Sequence, residues 1–181
     1  MEFIAVNDNI NDVSAREQLV AEHIRLENAH DLTGLIGTFG DQAAYDDEPW
    51  GDHRRGIDAV KDYYEILLKA LPDLRIEVID QHVAAASIIV EVVISGTHLG
   101  DWRGVPATGR RISFPLCGIY TFDKNNRIAG ERIYYDRMEV LRQIGLMHDP
   151  ATAFGRLMTG LSHPVTLAKA AGRKFFRINP Q

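Results

Sequence analysis

The sequence predicts an α+β domain with its helices on one face of an antiparallel sheet. Three observations carry this. Residues 14–72 hold three stretches with apolar side chains at helical spacing, and residues 74–136 change to period-two alternation over four long β-rich runs. The length of 181 residues, with 45% hydrophobic content, suits one domain able to bury a sizeable core.

Ser14 and Glu17 form a capping-box pattern, and Leu19, Val20, Ile24 and Leu26 continue it as a first helix to about His30. Asp31 followed by Leu32, Leu35, Ile36 and Phe39 reads as a short second helix closed by Gly40, and Gln42 to Glu48 as a short strand. After a turn around Pro49 to Gly51, the spacing of Ile57, Val60, Tyr64, Leu67, Leu68 and Leu71 predicts a third helix, which Pro72 stops. The four strands are Leu74 to Val83, Ser87 to His98, Arg111 to Phe122 and Arg127 to Asp136. Asp123 to Asn126 is a tight polar turn in which Asn tolerates positive φ, so the last two strands should form a hairpin. Arg137 to Ile144 reads as a last core helix ended by Gly145. The domain should therefore occupy residues 1–149, and residues 150–181 a helical extension with an apolar stripe of Phe154, Leu157, Met158 and Leu161 and a second cluster at Phe175 and Phe176. Such a stripe should pack across the domain or onto a partner subunit.

The formal charge of −5 conceals an asymmetry: all 25 acids lie at or before Asp149, while Arg156, Lys169, Arg173, Lys174 and Arg177 follow it. An acidic body argues against nucleic acid, which needs a concentrated basic surface to displace counterions. Cys117 is the single cysteine, so no intramolecular disulfide is possible, and its place inside an apolar strand makes it a core residue. With no basic and apolar leader in Met1 to Asn11 and no long apolar run, the expectation is a cytoplasmic protein with no membrane span.

The carboxylate where the last strand meets the last helix is the first catalytic candidate. Alternation puts Asp136 on one face with Tyr134 and Arg132, and Ile133 and Tyr135 on the other. If helices cover the Asp136 face, the carboxyl looks into an apolar pocket, its pKa rises, and it can exchange protons near neutral pH. Asp136 is equally placed to cap the helix, with Glu139 three positions on.

The segments Gly96-Thr97-His98-Leu99-Gly100 and Gly104-Val105-Pro106-Ala107-Thr108-Gly109-Arg110 resemble the signature of the SnoaL-like polyketide cyclases, within the nuclear-transport-factor-2-like superfamily. Leu71-Pro72-Asp73-Leu74 and the ending Tyr135-Asp136 through Gln143-Ile144-Gly145-Leu146 are similar to that family too, and the likeness covers roughly residues 15 to 147; Ala107 departs from it where many relatives have a second proline. The resemblance implies a strongly curved sheet wrapped over the N-terminal helices as a cone, a homodimer, and cofactor-independent chemistry on a small hydrophobic, oxygenated ligand. It also implies acid/base catalysis of an aldol-type ring closure by an aspartate at the end of the last strand, the position of Asp136. The reading is a cyclase or isomerase of a polyketide-like or terpenoid ketone, with an epoxide hydrolase or a noncatalytic binding module as alternatives on the same fold.

His98 closes a strand beside the Gly-rich loop and could orient a carbonyl or relay a proton; its other reading is a histidine bonded to loop backbone. His30 and Tyr45 stand where helices meet the first strand and could reach a cavity. Trp50, Trp102, Phe114, Tyr120 and Tyr134 could line an apolar pocket with a few polar tips. Arg103, Arg110 and Arg111 cluster around the loop, where arginines are usually solvated. The seven histidines show no paired ligand spacing such as H-E-x-x-H, and the loop glycines follow no phosphate-binding pattern, so neither metal nor nucleotide cofactor is expected.

Overall fold

The structure, a computed structural model, describes residues 10–177, with side chains from 13 to 173. The expectations for the extreme amino terminus and for the Phe175 and Phe176 side chains lie outside the described residues. The first helix, α1 (Ile10–Asn28), begins one turn earlier than the capping pattern implies, so Ser14 stands within the helix rather than at its cap. A short α2 (Leu32–Ile36) follows, with the Asp31 carboxylate accepting from Gly34 N at 2.9 Å as its cap. Next come β1 (Phe39–Asp47), β2 (Asp52–Arg55) and α3 (Ile57–Ala70). The strand β2 was missed in the sequence because four polar residues, Asp52 to Arg55, carry no alternation of apolar side chains.

The long strands are β3 (Arg75–Ala84), β4 (Ser87–Thr97), β5 (Arg111–Phe122) and β6 (Ile128–Tyr135), each within a residue of its predicted ends. The six strands form one sheet in the order β2-β1-β6-β5-β4-β3. All neighbours are antiparallel except β1 and β6, which run parallel and join the first strand to the last. Register shifts interrupt the ladders at Phe39/Ala44, Val78/Asp80 and Thr121/Phe122. Each such irregularity bends its strand and increases the local twist, and together they curve the sheet over the helices.

The concave face carries Ile88, Val90, Val92 and Ile94 of β4 and Ile112, Phe114 and Tyr120 of β5, all buried. From the helices, Val20 and Ile24 of α1, Leu35 of α2, and Val60 and Tyr64 of α3 close against it. α4 (Arg137–Gln143) then seals the last strand, with Val140 and Ile144 buried and the Gln143 side chain bonding both Ser113 N (2.6 Å) and Ser113 O (2.8 Å) on β5. Gly145 ends it at φ +88, a conformation that a side chain would strain. α5 (Ala153–Ser162) and α6 (Pro164–Arg177) pack chiefly against each other. Among the described residues no helix is long and apolar enough to cross a membrane.

Candidate active site

Between sheet and helices lies a cavity whose middle is apolar, walled by Leu67, Leu71, Leu74, Val92, Ile94 and Phe114. Its polar groups gather at two ends. On β6, Glu131 and Tyr135 both face the cavity and stand four residues apart, about 13 Å along the strand. The cavity is narrow, about 40 Å³, with room for about three waters.

The Glu131 end is a closed carboxylate cluster. Tyr64 donates to Glu131 Oε2 at 2.6 Å and Tyr120 donates to Oε1 at 3.1 Å. His23 Nε2 lies 3.3 Å from Glu131 Oε2 and 3.9 Å from Glu27 Oε2, so one imidazole edge touches both carboxyl groups. The orientation of that ring is set behind the cavity: Thr38 spends its hydroxyl proton on Leu35 O at 2.6 Å, and therefore accepts from His23 Nδ1 at 2.8 Å. Glu27 also lines the cavity, and its carboxyl is pushed well above the usual carboxylate range, first by burial and then by the Glu131 charge. Burial likewise raises Tyr45, Tyr64 and Tyr120, so their hydroxyls remain neutral donors.

The opposite end is built around Asp47, whose side chain is wholly buried. Its Oδ2 accepts from Tyr63 (3.2 Å), Tyr135 (3.3 Å) and Arg103 (2.5 Å), while Arg103 also reaches Asp52. Burial raises the Asp47 pKa and the Arg103 charge opposes that rise. Tyr63 and Tyr135 line the cavity, Asp47 stands behind them, and among the described residues Asp47 Oδ1 has no hydrogen-bond partner. Arg103 and Trp102 come from a two-residue hairpin in which Trp102 and Val105 exchange both backbone bonds (2.9 and 2.8 Å). Its central residues, Arg103 at φ 54 and Gly104 at φ 78, have the left-handed backbone of a primed turn.

The sequence candidates divide accordingly. Tyr45, Trp102, Phe114 and Tyr120 line the cavity. His98 is fully buried behind Trp102, with ring centroids 6.2 Å apart; burial lowers its pKa, Nδ1 pairs with Thr108 Oγ1 at 3.1 Å, and among the described residues Nε2 has no hydrogen-bond partner. Trp50 packs 6.4 Å from Trp102 outside the cavity lining, under the guanidinium groups of Arg103 and Arg137. His30 is exposed at the end of α1, bonding Leu74 O at 3.0 Å, and Tyr134 lies on the outer sheet face, 44% exposed.

Asp136 does not look into the cavity. The helices cover the other face of β6, because Tyr120, Gly118 and Leu116 on the concave face of β5 pair with Glu131, Ile133 and Tyr135. Asp136 is exposed and caps α4, its Oδ1 accepting from Met138 N (2.8 Å) and Glu139 N (3.3 Å). Arg103, expected to be solvated, is instead a largely buried latch on Asp47.

Glu27, Glu131 and Asp47 were not singled out from the sequence, although a signal existed for the first two. Glu27 continues the Val20–Ile24 apolar stripe of α1 one turn on, and Glu131 shares parity with Ile133 and Tyr135. A charged group at a core position either pairs or works. Asp47 sits in an acidic run, Asp46 to Glu48, that reads as surface. On the outer face, ligand-type atoms of Asp46, Glu48 and His53 lie within 4.8 Å of one another, but Arg55 and Arg132 already pair with these acids.

A raised carboxyl pKa fixes the sign of a stability effect. Glu27 holds its proton more tightly folded than unfolded, so its contribution is complete below the ordinary value of 4.5 and is lost as pH rises through the folded value. Glu27→Gln, which keeps the neutral shape, is expected to unfold at higher temperature than wild type at pH 8, with the gap closing toward pH 4. Thermal unfolding across that range measures it; equal pH profiles would show that Glu27 carries no such proton.

A curved mixed sheet closed by helices over a cavity with buried carboxyl groups defines the nuclear-transport-factor-2-like cone. The family match is specific. The SnoaL-like polyketide cyclase family matches residues 11–144, and the chain belongs to it. Among solved structures the chain is similar to AclR from Streptomyces galilaeus, at TM-score 0.66 and 23% identity over 75% of this chain and 99% of that one. A SnoaL-like polyketide cyclase candidate from Jannaschia sp. CCS1 gives TM-score 0.66 at 18% identity, covering 76% and 96% of the two chains. The epoxide hydrolase/cyclase-like enzyme SalBIII, of pyran ring formation in polyether salinomycin, gives 0.59 at 21% identity over 68% and 92%. A comparison with proteins of curated function finds no match.

Proposed function

We propose that this protein is a cofactor-independent acid/base enzyme, a cyclase or isomerase, acting on a hydrophobic ketone held in the cone. The observation that carries the reading is the Glu27–Glu131 pair, two carboxyl groups that line one apolar cavity with the edge of the His23 ring against both, where burial and then the Glu131 charge push the Glu27 pKa up. Glu131, steadied by the phenol donors Tyr64 and Tyr120, is the base that removes a proton alpha to the carbonyl. Glu27, kept neutral by burial and by the charge of Glu131, donates to the oxygen on which negative charge develops. In ring closure the enol carbon then attacks a second carbonyl, the enol proton returns to Glu27 as the first carbonyl reforms, and the proton held by Glu131 passes to the new alkoxide; in isomerisation Glu131 delivers its proton to another carbon of the dienol and Glu27 recovers its own.

The likeness to the epoxide hydrolase/cyclase-like SalBIII supports a second reading, in which the same carboxylate activates water against an epoxide. Proton exchange separates the two without the natural substrate. The full-length protein in D2O is expected to accelerate deuterium incorporation alpha to the carbonyl of β-tetralone, read by NMR, and Glu131→Gln to abolish the acceleration. Exchange no faster than in buffer, or equally fast in Glu131→Gln, overturns the acid/base assignment.

A further inference from the structure

The C-terminal tail leaves an amphipathic surface uncovered. Its apolar stripe does not pack across the domain, as its sequence suggested: Phe154, Leu157 and Leu161 of α5 are 59%, 59% and 67% exposed, at positions i, i+3 and i+7 of one helical face. Exposed apolar residues continue past the His163–Pro164 junction as Val165 and Leu167. At about 3.6 residues per turn, α6 carries Leu167, Ala168 and Ala171 on one side and the exposed Lys169 and Arg173 on the other. Arg156 likewise stands on the side of α5 opposite Phe154 and Leu161.

Charge says what kind of surface can cover it. Residues 150–181 hold five basic residues and no acid, whereas the body holds the other 15 of the 20 Lys and Arg residues and all 25 acids. An anionic surface therefore attracts the tail and repels the body, and salt screening over about 8–10 Å lets the two respond separately. A mixed-charge protein partner sets no penalty on acids along the tail, whereas a uniformly anionic surface penalises every one. An apolar face edged by lysine and arginine is the pattern of a helix that lies in a lipid headgroup layer. The two helices are 10 and 14 residues long, short of the roughly 20 apolar residues that a span needs, so the contact is with a membrane surface and not across it.

We propose that the α5–α6 tail binds the surface of an anionic lipid bilayer, with Phe154, Leu157 and Leu161 sunk to the level where headgroups meet acyl chains and Lys169 and Arg173 against the lipid phosphates. The bilayer is the occupant because it supplies an apolar layer and a sheet of negative charge at adjoining depths, the arrangement that the two sides of the tail present. The acidic body then stands off on the solvent side. The contact lies outside the cone, so it goes beyond the proposed chemistry and does not depend on it.

Flotation with vesicles tests this. The full-length protein is expected to float with vesicles of phosphatidylcholine containing about one-third phosphatidylglycerol, to bind vesicles of phosphatidylcholine alone at least about tenfold less, and to detach as salt is raised. Lys169→Glu with Arg173→Glu, and separately Leu157→Ser with Leu161→Ser, should each lower binding by about tenfold or more while circular dichroism shows an intact fold. Phe154→Trp adds an indole on the stripe; brominated acyl chains should quench it and leave the wild-type emission of Trp50 and Trp102 unchanged. No flotation, equal flotation with both lipids, unaltered binding in either double variant, or an unquenched Phe154→Trp each overturn the proposal. So does a fall in the molecular mass of Leu157→Ser with Leu161→Ser in the absence of lipid, which assigns the stripe to a second copy. None of these readouts uses turnover, so their failure is separate from failure of the acid/base reading.

Discussion

Glu131→Gln is expected to lower turnover by about 10²–10⁴-fold, the range that removal of a positioned general base produces, while Asp136→Asn leaves it within a few-fold of wild type. The two carboxylates are five residues apart on one strand, yet the structure gives them opposite surroundings. Glu131 is buried, faces the cavity, and receives Tyr64 and Tyr120. Asp136 is exposed and spends Oδ1 on two helix amides. Asn retains that capping acceptor, whereas Asp136→Ala removes it and should cost about 1 kcal/mol of stability. Glu131→Gln keeps the side-chain volume, so an intact thermal unfolding transition with lost turnover separates chemistry from folding. The converse pattern, activity lost in Asp136→Asn and kept in Glu131→Gln, would move the catalytic group to the end of the strand and refute the cavity assignment.

The largest expected effect on stability is at Arg103. Arg103→Met leaves the Asp47 carboxylate, whose side chain is fully buried beneath an arginine side chain that is itself only 16% exposed, without its cation, and breaking such a pair costs about 3–5 kcal/mol. Urea unfolding at pH 7 measures the loss, and Asp47→Asn in the same chain should recover most of it, because the cost lies in the unpaired charge rather than in the absent arginine. The pH dependence has a definite sign. Without Arg103 nothing cationic holds the Asp47 pKa down against burial, so the folded protein binds that proton above the ordinary value of 3.8. The deficit of Arg103→Met should therefore shrink as pH falls toward 4. A deficit independent of pH, or one unrelieved by Asp47→Asn, would show that the hairpin matters through packing alone.

Much of the fold was legible because hydrophobic periodicity is a local property. The strands β3 to β6 alternate or run apolar, the Asp123–Asn126 turn with Asn126 at φ 57 joins the last two, and Gly145 ends α4 at φ +88, both places where the backbone needs residues that tolerate unusual angles. Polar β2 carried no such signal, and α1 extended past its capping pattern because a cap is a preference that a continuing helix overrides. The cavity aromatics were partly legible for the same local reason: Tyr45, Phe114 and Tyr120 sit at buried parity in their strands, whereas Trp50 and Tyr134 needed knowledge of what covers them.

The sequence by itself determined the α+β class, the order of the elements, the family likeness, and the fact that a carboxylate ends the last strand. It could not determine which face of β6 is inside. Taken alone, that strand offers Arg132, Tyr134 and Asp136 on one side and Glu131, Ile133 and Tyr135 on the other, two faces of nearly equal polarity. The decision is made by register with β5, whose strongly apolar Ile112, Phe114 and Tyr120 must face the helices and carry the Glu131 side inward with them. Burial free energy summed over neighbouring strands, a nonlocal quantity, thus assigns one carboxylate to the cavity and the other to solvent.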